Sequence, residues 1–151
     1  VNVIPAISTV KNGISWRQSV YYPLYFASLY GRGESLQLKI NSPKYSSDIA
    51  DDVNYIDASA VINEEEKTLS FFIINRSEEE SVDLDFDINN LPIIKIIDQQ
   101  IINHTNIYAS NTINKPNEIA PKKTNIATFQ NEKLMAKIPK LSYLFILLKI
   151  K

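Results

Sequence analysis

The stretch Ser81-Val82-Asp83-Leu84-Asp85-Phe86-Asp87-Ile88 decides the fold class, because apolar and polar side chains alternate along it. Period two places neighbouring side chains on opposite faces of a β-strand, so this segment is predicted to bury one face and to solvate the other. The acidic row of Asp83, Asp85 and Asp87 is interpreted as the solvated face and not as a cation site. Strands of this kind pair in antiparallel sheets that have one wet side.

The same pattern continues on both sides of this stretch. Three further segments alternate in the same way, at residues 35–41, 56–62 and 133–138. Two more segments, 69–74 and 143–148, are apolar on both faces, which predicts central strands or strands covered by another layer. Glu-Glu-Glu occurs at 64–66 and at 78–80. Each triplet is predicted to form a hairpin turn.

The rest of the chain after Gly33 shows no clear helical periodicity and no internal repeat. Residues 103–125 carry Asn, Thr and Pro without a period, as expected of a long loop with short strands. The sequence therefore predicts an all-β fold, an antiparallel and jelly-roll-like β-sandwich with one short N-terminal helix.

The composition changes near Gly33. Residues 1–33 contain six of the fifteen aromatic residues, three cations and neither Asp nor Glu, whereas the remainder holds 13 basic and 17 acidic residues. We interpret residues 1–33 and residues 34–151 as parts of two different structural units. The second unit corresponds to the sandwich.

A short helix is predicted within the first unit, with Pro23 near its start and Gly31 just past its end. Its apolar side chains lie on nearly all sides, so it needs burial on more than one side. We therefore expect this segment to be a docking surface between domains. The residues assigned to that surface are Trp16, Tyr21, Tyr22, Tyr25, Phe26, Tyr30 and Arg32.

Several function classes are disfavoured by composition. The 16 basic and 17 acidic residues give a net charge of −1, which lacks the electrostatic footprint of a nucleic-acid binder. No apolar run approaches the roughly 18 residues that span a bilayer, so no membrane partner is expected. The absence of cysteine excludes disulfides and thiolate metal sites. His104 is the only histidine and is interpreted as a surface residue, so we expect neither a metal site nor a cofactor.

The carboxylates and aromatic residues give no clear catalytic site. Hydrolysis by paired carboxylates needs two groups about 5–9 Å apart. Asp48, Asp51, Asp52 and Asp57 lie close to Tyr45 and Tyr55 in sequence, but nothing pairs any two of them, so no catalytic residue is assigned.

Trp16 and Arg17 are the candidates for substrate binding, because an aromatic ring can stack on a sugar and Arg can donate two hydrogen bonds to its oxygens. We favour the alternative that Trp16 packs between structural units and that Arg17 holds a carboxylate there.

The run Trp-Arg-Gln-Ser-Val-Tyr-Tyr-Pro-Leu-Tyr-Phe-Ala-Ser-Leu-Tyr-Gly-Arg-Gly at 16–33 resembles the segment that leaves the catalytic barrel in the α-L-arabinofuranosidases of glycoside hydrolase family 51. Residues 1–5, Val-Asn-Val-Ile-Pro, resemble a run near the end of that barrel. The resemblance covers nearly the whole chain. It continues through residues 42–45, 52–61, 71–76, 117–121 and 138–142.

The resemblance implies an architecture and an activity. The family enzyme has a (β/α)₈ barrel followed by a C-terminal β-sandwich, so residues 1–33 would be the tail of a missing barrel with its linking helix, and residues 34–151 the sandwich. The two catalytic glutamates belong to barrel strands whose motifs are not in this sequence, so the chain is expected to be inactive alone. The family removes terminal α-L-arabinofuranosyl groups from glycans without a metal.

The expected role is therefore a non-catalytic accessory domain that packs on and stabilises the barrel of its parent protein. The expected partners are that barrel and, through the parent enzyme, arabinose-containing glycans; homo-oligomerisation is a further expectation. Residues 1–10 lack signal-peptide features, and the chain, which begins at Val1, is interpreted as a fragment or a processed product. The resemblance and the lack of cysteine imply a cytoplasmic location.

Two alternatives remain. One is a carbohydrate-binding β-sandwich module, which needs an exposed aromatic platform; its most plausible members are Trp16, Tyr45, Tyr55 and Tyr108. The other is a stand-alone enzyme, against which the missing acid/base pair argues. The family often has Ser-Trp-Asn in its last strand, where this chain has Ser142-Tyr143-Leu144. A packing contact at this position is therefore expected to differ.

Overall fold

The computed structural model describes residues 5–88 and 91–151. The barrel-like run at residues 1–4 thus lies outside the described residues. The helix is α1 (Tyr21–Tyr30). The strands are β1 (Ile7–Thr9), β2 (Ser15–Arg17), β3 (Glu34–Leu36), β4 (Lys44–Tyr45), β5 (Val53–Asn54), β6 (Ile56–Asn63), β7 (Thr68–Asn75), β8 (Val82–Phe86), β9 (Ile93–Asn103), β10 (Lys122–Lys123), β11 (Ala127–Gln130), β12 (Lys133–Ile138) and β13 (Ser142–Ile150).

Two antiparallel sheets form the sandwich. The larger sheet has the strand order β10-β9-β13-β7-β6-β3, and the smaller sheet has the order β11-β12-β8. Their facing sides enclose one apolar core, which includes Leu69 and Ile146 from the larger sheet and Leu134 and Ile138 from the smaller one. The predicted all-β sandwich with one N-terminal helix is confirmed.

Strand β13 is the central element, because it is buried on both faces. Leu144, Ile146 and Leu148 point into the core between the sheets. Phe145 and Leu147 point to the opposite face, where they meet a second apolar cluster. This double burial explains why residues 143–148 show no alternation in the sequence.

Helix α1 covers the outer face of the larger sheet. Tyr22 and Phe26 are buried there against Phe145 and Leu147, and Ile119 from the 104–121 loop joins the same cluster. The helix starts two residues before Pro23, whose missing N–H falls in the first turn, where backbone donors have no partner in the helix. It ends where the Gly31 N–H donates to the Ala27 carbonyl oxygen at 2.8 Å. The molecule therefore has three layers, and residues from both sides of Gly33 share the second cluster.

One predicted turn is confirmed and another is wrong. The 64–66 triplet joins β6 and β7 in a hairpin, in which Asn63 Oδ1 accepts a hydrogen bond from the Glu66 N–H. The 78–80 triplet instead carries the chain from β7 in the larger sheet to β8 in the smaller one. Asn75 fixes this crossing, because its side-chain amide donates to the Glu80, Ile138 and Pro139 carbonyls. A run of acidic residues marks a turn but does not select the strand that follows it.

Two strands differ in extent from the sequence pattern. The alternation at 35–41 gives a strand only over Glu34–Leu36. The longest strand, β9, was not predicted, because its Ile-Ile pairs do not alternate. The register of β9 against β13 shifts twice and leaves Ile94 and Ile97 opposite no partner. Each is 48% exposed, so these bulges turn one isoleucine of each pair to solvent.

Candidate functional site

Trp16 lies in the hairpin that β1 and β2 form at the start of the described chain. β1 and β2 pair through Ser8 and Trp16, and the turn between them contains Asn12 at φ 56°, the left-handed conformation that Asn tolerates. The Gln18 N–H donates to the Ala6 carbonyl at 2.9 Å and continues the pairing to the start of the helix. This hairpin fixes the position of Trp16 relative to α1.

Asn111 joins this hairpin to the 104–121 loop. The Trp16 indole Nε1 and the Gln18 side-chain amide each donate to the Asn111 carbonyl oxygen at 3.0 Å. The Asn111 amide donates at 2.8 Å to the carbonyls of Arg17 and Ile119, and its Oδ1 accepts from the Ile119 N–H at 2.7 Å. Asn111 is only 2% exposed. Trp16 is thus half-buried, and its indole N–H is hydrogen-bonded within the chain. This arrangement agrees better with a packing role than with an exposed ring that stacks on a sugar.

Sequence reasoning missed Asn111. It lies in a loop rich in Asn and Thr, where one more Asn gives no signal. Its importance depends on two backbone segments that meet only in the folded chain.

Arg17 binds an aromatic ring and not a carboxylate. The central guanidinium carbon lies 5.0 Å from the centroid of the Tyr21 ring, a cation–π contact. Tyr21 in turn stacks on Tyr25, with centroids 5.8 Å apart. No carboxylate lies within 4.0 Å of Arg17 in the ranges that the structure describes. The expected carboxylate partner is therefore not supplied by these residues.

The structure divides the predicted docking residues into two groups. Tyr22 and Phe26 are 6% and 3% exposed, because both cover the larger sheet. Tyr30 is half-buried against Phe145, with centroids 4.9 Å apart. Tyr25 is exposed, as is Arg32 beyond the helix. Burial removes Tyr22 and Phe26 from any surface on which a further domain could dock.

Aliphatic side chains complete the exposed part of this region. Of the fifteen large hydrophobic side chains that are exposed in the described residues, seven lie between residues 7 and 29, so the exposure is concentrated there. These seven residues are Ile7, Val10, Ile14, Val20, Leu24, Tyr25 and Leu29. Leu24 projects on the side of α1 away from Phe26, and it is 59% exposed.

The proposed aromatic platform is only partly assembled. Tyr45 and Tyr55 pack ring against ring with centroids 4.9 Å apart, beside the short β4–β5 pair. Both are half-buried. Tyr108 is 86% exposed in the 104–121 loop, and Trp16 belongs to the hairpin. Within the described ranges, neither Tyr108 nor Trp16 makes a ring contact with the Tyr45–Tyr55 pair.

His104 contacts other residues of the 104–121 loop. Its Nδ1 accepts a hydrogen bond from the Asn106 N–H at 3.0 Å, and its Nε2 lies 3.5 Å from Glu118 Oε1. Lys115 Nζ approaches the other oxygen of Glu118 at 3.5 Å. These contacts tie together the two ends of the 104–121 loop. His104 also borders an open cavity of about 410 Å³, whose apolar wall includes Ile74 and Ile107.

The acidic residues form surface ion pairs. Asp57 lies 2.8 Å from Arg76, whereas Asp52 and Asp83 each lie 3.8 Å from a lysine. No group of three or more His, Cys, Asp or Glu side chains that could hold a metal occurs in residues 5–88 and 91–151.

Asp98 has a pKa below its ordinary value. Its burial alone would raise its pKa, but hydrogen bonds from Lys123 and Gln100 and the charge of Lys123 outweigh burial and hold the pKa below its ordinary value. A general acid in glycoside hydrolysis needs the opposite shift.

Tyr143 carries a buried hydroxyl for which the described residues offer no hydrogen-bond partner. Its ring stacks on Phe26 with centroids 6.2 Å apart, under α1. Burial raises the pKa of this phenol. This is the position at which the last strand departs from the Ser-Trp-Asn pattern. Burying this hydroxyl without a hydrogen bond costs free energy, so the packing of Tyr143 under α1 stabilises the fold less than a fully apolar ring would.

Comparison with known proteins gives a consistent picture. The family model for the "Alpha-L-arabinofuranosidase C-terminal domain" matches residues 1–142. The intracellular exo-alpha-(1->5)-L-arabinofuranosidase 1 of Bacillus subtilis (strain 168) is 38% identical over 149 residues, which are 99% of this chain and 29% of that protein. The intracellular exo-alpha-(1->5)-L-arabinofuranosidase of Halalkalibacterium halodurans is 35% identical over 143 residues, 95% of this chain and 28% of that protein.

A solved structure is similar along almost the whole chain. The family 51 α-L-arabinofuranosidase from Bifidobacterium longum superposes with a TM-score of 0.88 at 27% identity, and the match covers 98% of this chain and 28% of that one. This chain spans less than a third of the length of each of these relatives. Its helix α1, ten residues long, is too short to cross a membrane, and it is the only helix in the described residues.

Proposed function

The chain belongs to the family of α-L-arabinofuranosidase C-terminal domains, as the resemblance predicted, and we propose that it serves as the non-catalytic accessory domain of a larger arabinofuranosidase. The observation that carries this proposal is the match over residues 1–142 to a C-terminal domain, within relatives of which the chain spans less than a third. In this role the sandwich packs on the catalytic part of its parent protein and stabilises it.

The chemistry of the side chains supports a non-catalytic role. The interior between the sheets is apolar, and Asp52, Asp57 and Asp83 pair with lysine or arginine at the surface. Asp98, whose pKa lies below its ordinary value, is held in its ionised form by Lys123. Hydrolysis through paired carboxylates requires one group that keeps its proton near neutral pH.

We propose that the parent protein hydrolyses terminal α-L-arabinofuranosyl groups of arabinose-containing glycans, in the cytoplasm. The names of the Bacillus and Halalkalibacterium relatives support both the activity and the intracellular location. The substrate then meets the catalytic part of the parent protein, and the sandwich contributes stability.

An assay of the purified chain on an aryl α-L-arabinofuranoside tests the non-catalytic role. We expect no turnover, whereas the natural chain that contains these residues should cleave the substrate. Removal of residues 34–151 from that chain should shorten the half-life of its activity on warming. Turnover by residues 1–151 alone that disappears on replacing a carboxylate, for example in Asp57→Asn, would contradict the proposal.

The alternative function, a carbohydrate-binding module, rests on the Tyr45–Tyr55 ring pair. Sugar-binding sandwiches present open aromatic faces, but these two rings are half-buried and each covers part of the other. We therefore expect no saturable heat signal when arabinan or arabinoxylan oligosaccharides are titrated into the chain. Saturable binding that is lost in Tyr55→Ala and kept in Tyr108→Ala would favour the module instead.

A further inference from the structure

Tyr108 is an exposed aromatic ring on a fixed turn. It is 86% exposed, more than any other Phe, Trp or Tyr side chain in residues 5–88 and 91–151. Its backbone is nevertheless held, because its N–H donates to Asn106 Oδ1 at 2.9 Å and the Ala109 N–H donates to the Asn106 carbonyl at 3.1 Å. Ala109 also packs against the second apolar cluster. An exposed ring on a fixed backbone loses little conformational entropy when it binds a ligand.

The residues around Tyr108 carry no charge. The stretch 105–114, Thr-Asn-Ile-Tyr-Ala-Ser-Asn-Thr-Ile-Asn, contains no Asp, Glu, Lys or Arg, although these types make up 22% of the chain. The next charged residues along the chain, Lys115 and Glu118, lie 3.5 Å from each other. An aromatic ring among amides and hydroxyls can stack on the apolar face of a sugar and hydrogen-bond to its hydroxyl groups. This surface therefore fits a neutral, hydroxylated ligand.

The open cavity of about 410 Å³ lies beside this ring. Both chain neighbours of Tyr108, Ile107 and Ala109, line the cavity, so Tyr108 lies at its margin. Asn103 and Asn106 are among the polar residues of the lining. The cavity combines apolar walls with amide groups, and its volume lies within the usual range of small-ligand sites. A sugar unit at this position has a ring to stack on and hydrogen-bonding groups beside it.

Asn111 joins this surface to the N-terminal hairpin. It follows Tyr108 by three residues, and it bonds the Trp16 indole through its carbonyl oxygen and the Arg17 carbonyl through its side-chain amide. In the proposed function the catalytic part precedes this domain in the parent protein, so the hairpin is the segment that leads to it. Tyr108 therefore lies on a loop that is fixed to the segment closest in sequence to the catalytic part.

Resting on the proposed function, we propose that Tyr108 and the adjoining cavity form a glycan subsite of the parent enzyme. The subsite holds a sugar unit beyond the bond that is cleaved. The terminal unit is held by the catalytic part, since no catalytic carboxylate is assigned in this chain, and a contact from this chain falls on the remainder of the glycan. Tyr108 thereby determines how strongly the enzyme prefers an oligosaccharide over a substrate with a small leaving group.

The subsite acts within the whole enzyme. One ring beside one cavity binds a single sugar unit weakly, but the catalytic part raises the effective concentration of that unit when it holds the terminal one. This dependence agrees with the absence of saturable binding that we expect of the isolated chain.

Tyr108→Ala in the natural chain with its catalytic part tests the subsite. The measured quantity is the ratio of kcat/KM for an arabinan oligosaccharide to kcat/KM for methyl α-L-arabinofuranoside, whose leaving group contains no sugar. We expect the ratio to fall by about threefold to tenfold, because a ring contact of this size is lost. The fall should appear mainly as a higher KM for the oligosaccharide. Tyr108→Phe keeps the ring and should retain the ratio to within about twofold.

Ile49→Ala is the matched control. Ile49 is 96% exposed in a different loop, so its replacement also removes an exposed hydrophobic side chain and should leave the ratio unchanged. An equal fall in Ile49→Ala and Tyr108→Ala would overturn the subsite.

The outcomes separate the two proposals. A natural chain without activity on an aryl α-L-arabinofuranoside would contradict the proposed function. An active natural chain in which Tyr108→Ala leaves the ratio unchanged would overturn only the subsite. The same holds if Tyr108→Ala lowers kcat/KM for both substrates equally, because that result would show a structural role of the loop and no contact with the glycan.

Discussion

Phe26 of α1 stacks on Phe145 of β13, with ring centroids 4.7 Å apart and ring planes 9° apart. Phe145 is fully buried, and it lies on the face of β13 opposite the core between the sheets. Together with the contacts of Tyr30 on Phe145 and of Phe26 on Tyr143, this contact joins the N-terminal segment to the central strand of the sandwich. The helix is therefore a third layer of the domain on one side, while its other side remains open.

Replacing Phe26 should separate these two sides of the helix. Phe26→Ala removes a ring that is 3% exposed and should lower the free energy of unfolding by about 3–5 kcal/mol. Leu24→Ala, on the exposed side, should change it by no more than about 0.5 kcal/mol. Urea denaturation followed by circular dichroism measures both values. Equal effects of the two substitutions would mean that α1 does not pack on the sheet through Phe26.

Much of the sandwich follows from period-two patterns. Strands β6, β8 and β12 alternate because one face meets the core and the other meets water, and this requirement is visible in the sequence. Strands β7 and β13 are apolar on both faces because α1 and the smaller sheet cover opposite sides of the same sheet. Strand β9 could not be predicted from the sequence, because two bulges break its alternation. The bulges arise from its pairing with β13, which the pattern of β9 alone does not show.

The candidate docking region was also only partly predictable from the sequence. Helical periodicity identifies the apolar sides of α1, but it does not say which side meets the sandwich. Tyr22 and Phe26 are drawn inward because Phe145 and Leu147 present an apolar surface to them, and that surface exists only once β13 is in the sheet. Leu24 and Leu29 are left exposed by the same choice.

Asn111 should be essential for the position of the 104–121 loop. Asn111→Ala removes three side-chain hydrogen bonds, to Arg17 and to both backbone groups of Ile119, and should destabilise the chain by about 2–4 kcal/mol. The loop should also become more sensitive to proteolysis than in the wild type. Asn103→Ala, at an exposed site, is the control. If both variants resist protease as well as the wild type does, the Asn111 contacts do not hold the loop.

Asp98 should make stability depend on pH in the acid range. The folded-state pKa of this carboxyl lies below its ordinary value of 3.8, because Lys123 and Gln100 bond its ionised form more strongly than burial opposes it. Its stabilising contribution is therefore present above the unfolded pKa and is lost as pH falls through the folded pKa. Asp98→Asn should flatten this part of a plot of unfolding free energy against pH. Asp83→Asn, whose carboxylate lies 3.8 Å from Lys137 at the surface, should leave the slope nearly unchanged; the opposite ranking would refute the assignment.

Tyr143→Phe should stabilise the domain. The phenol hydroxyl is buried without a partner among the described residues, so the native state loses its hydration without gaining a hydrogen bond. Removing the oxygen keeps the ring against Phe26 and should raise the free energy of unfolding by about 1 kcal/mol.

Burial also raises the pKa of the folded Tyr143 phenol above 10.0. The wild type should therefore lose stability as pH rises from the pKa of the unfolded state toward that of the folded state. Tyr143→Phe should lack this loss of unfolding free energy at alkaline pH. Tyr108→Phe, at an 86% exposed site, should still show it. A Tyr143→Phe protein that is less stable at neutral pH, with an unchanged alkaline slope, would show that the hydroxyl does have a bonding partner in solution.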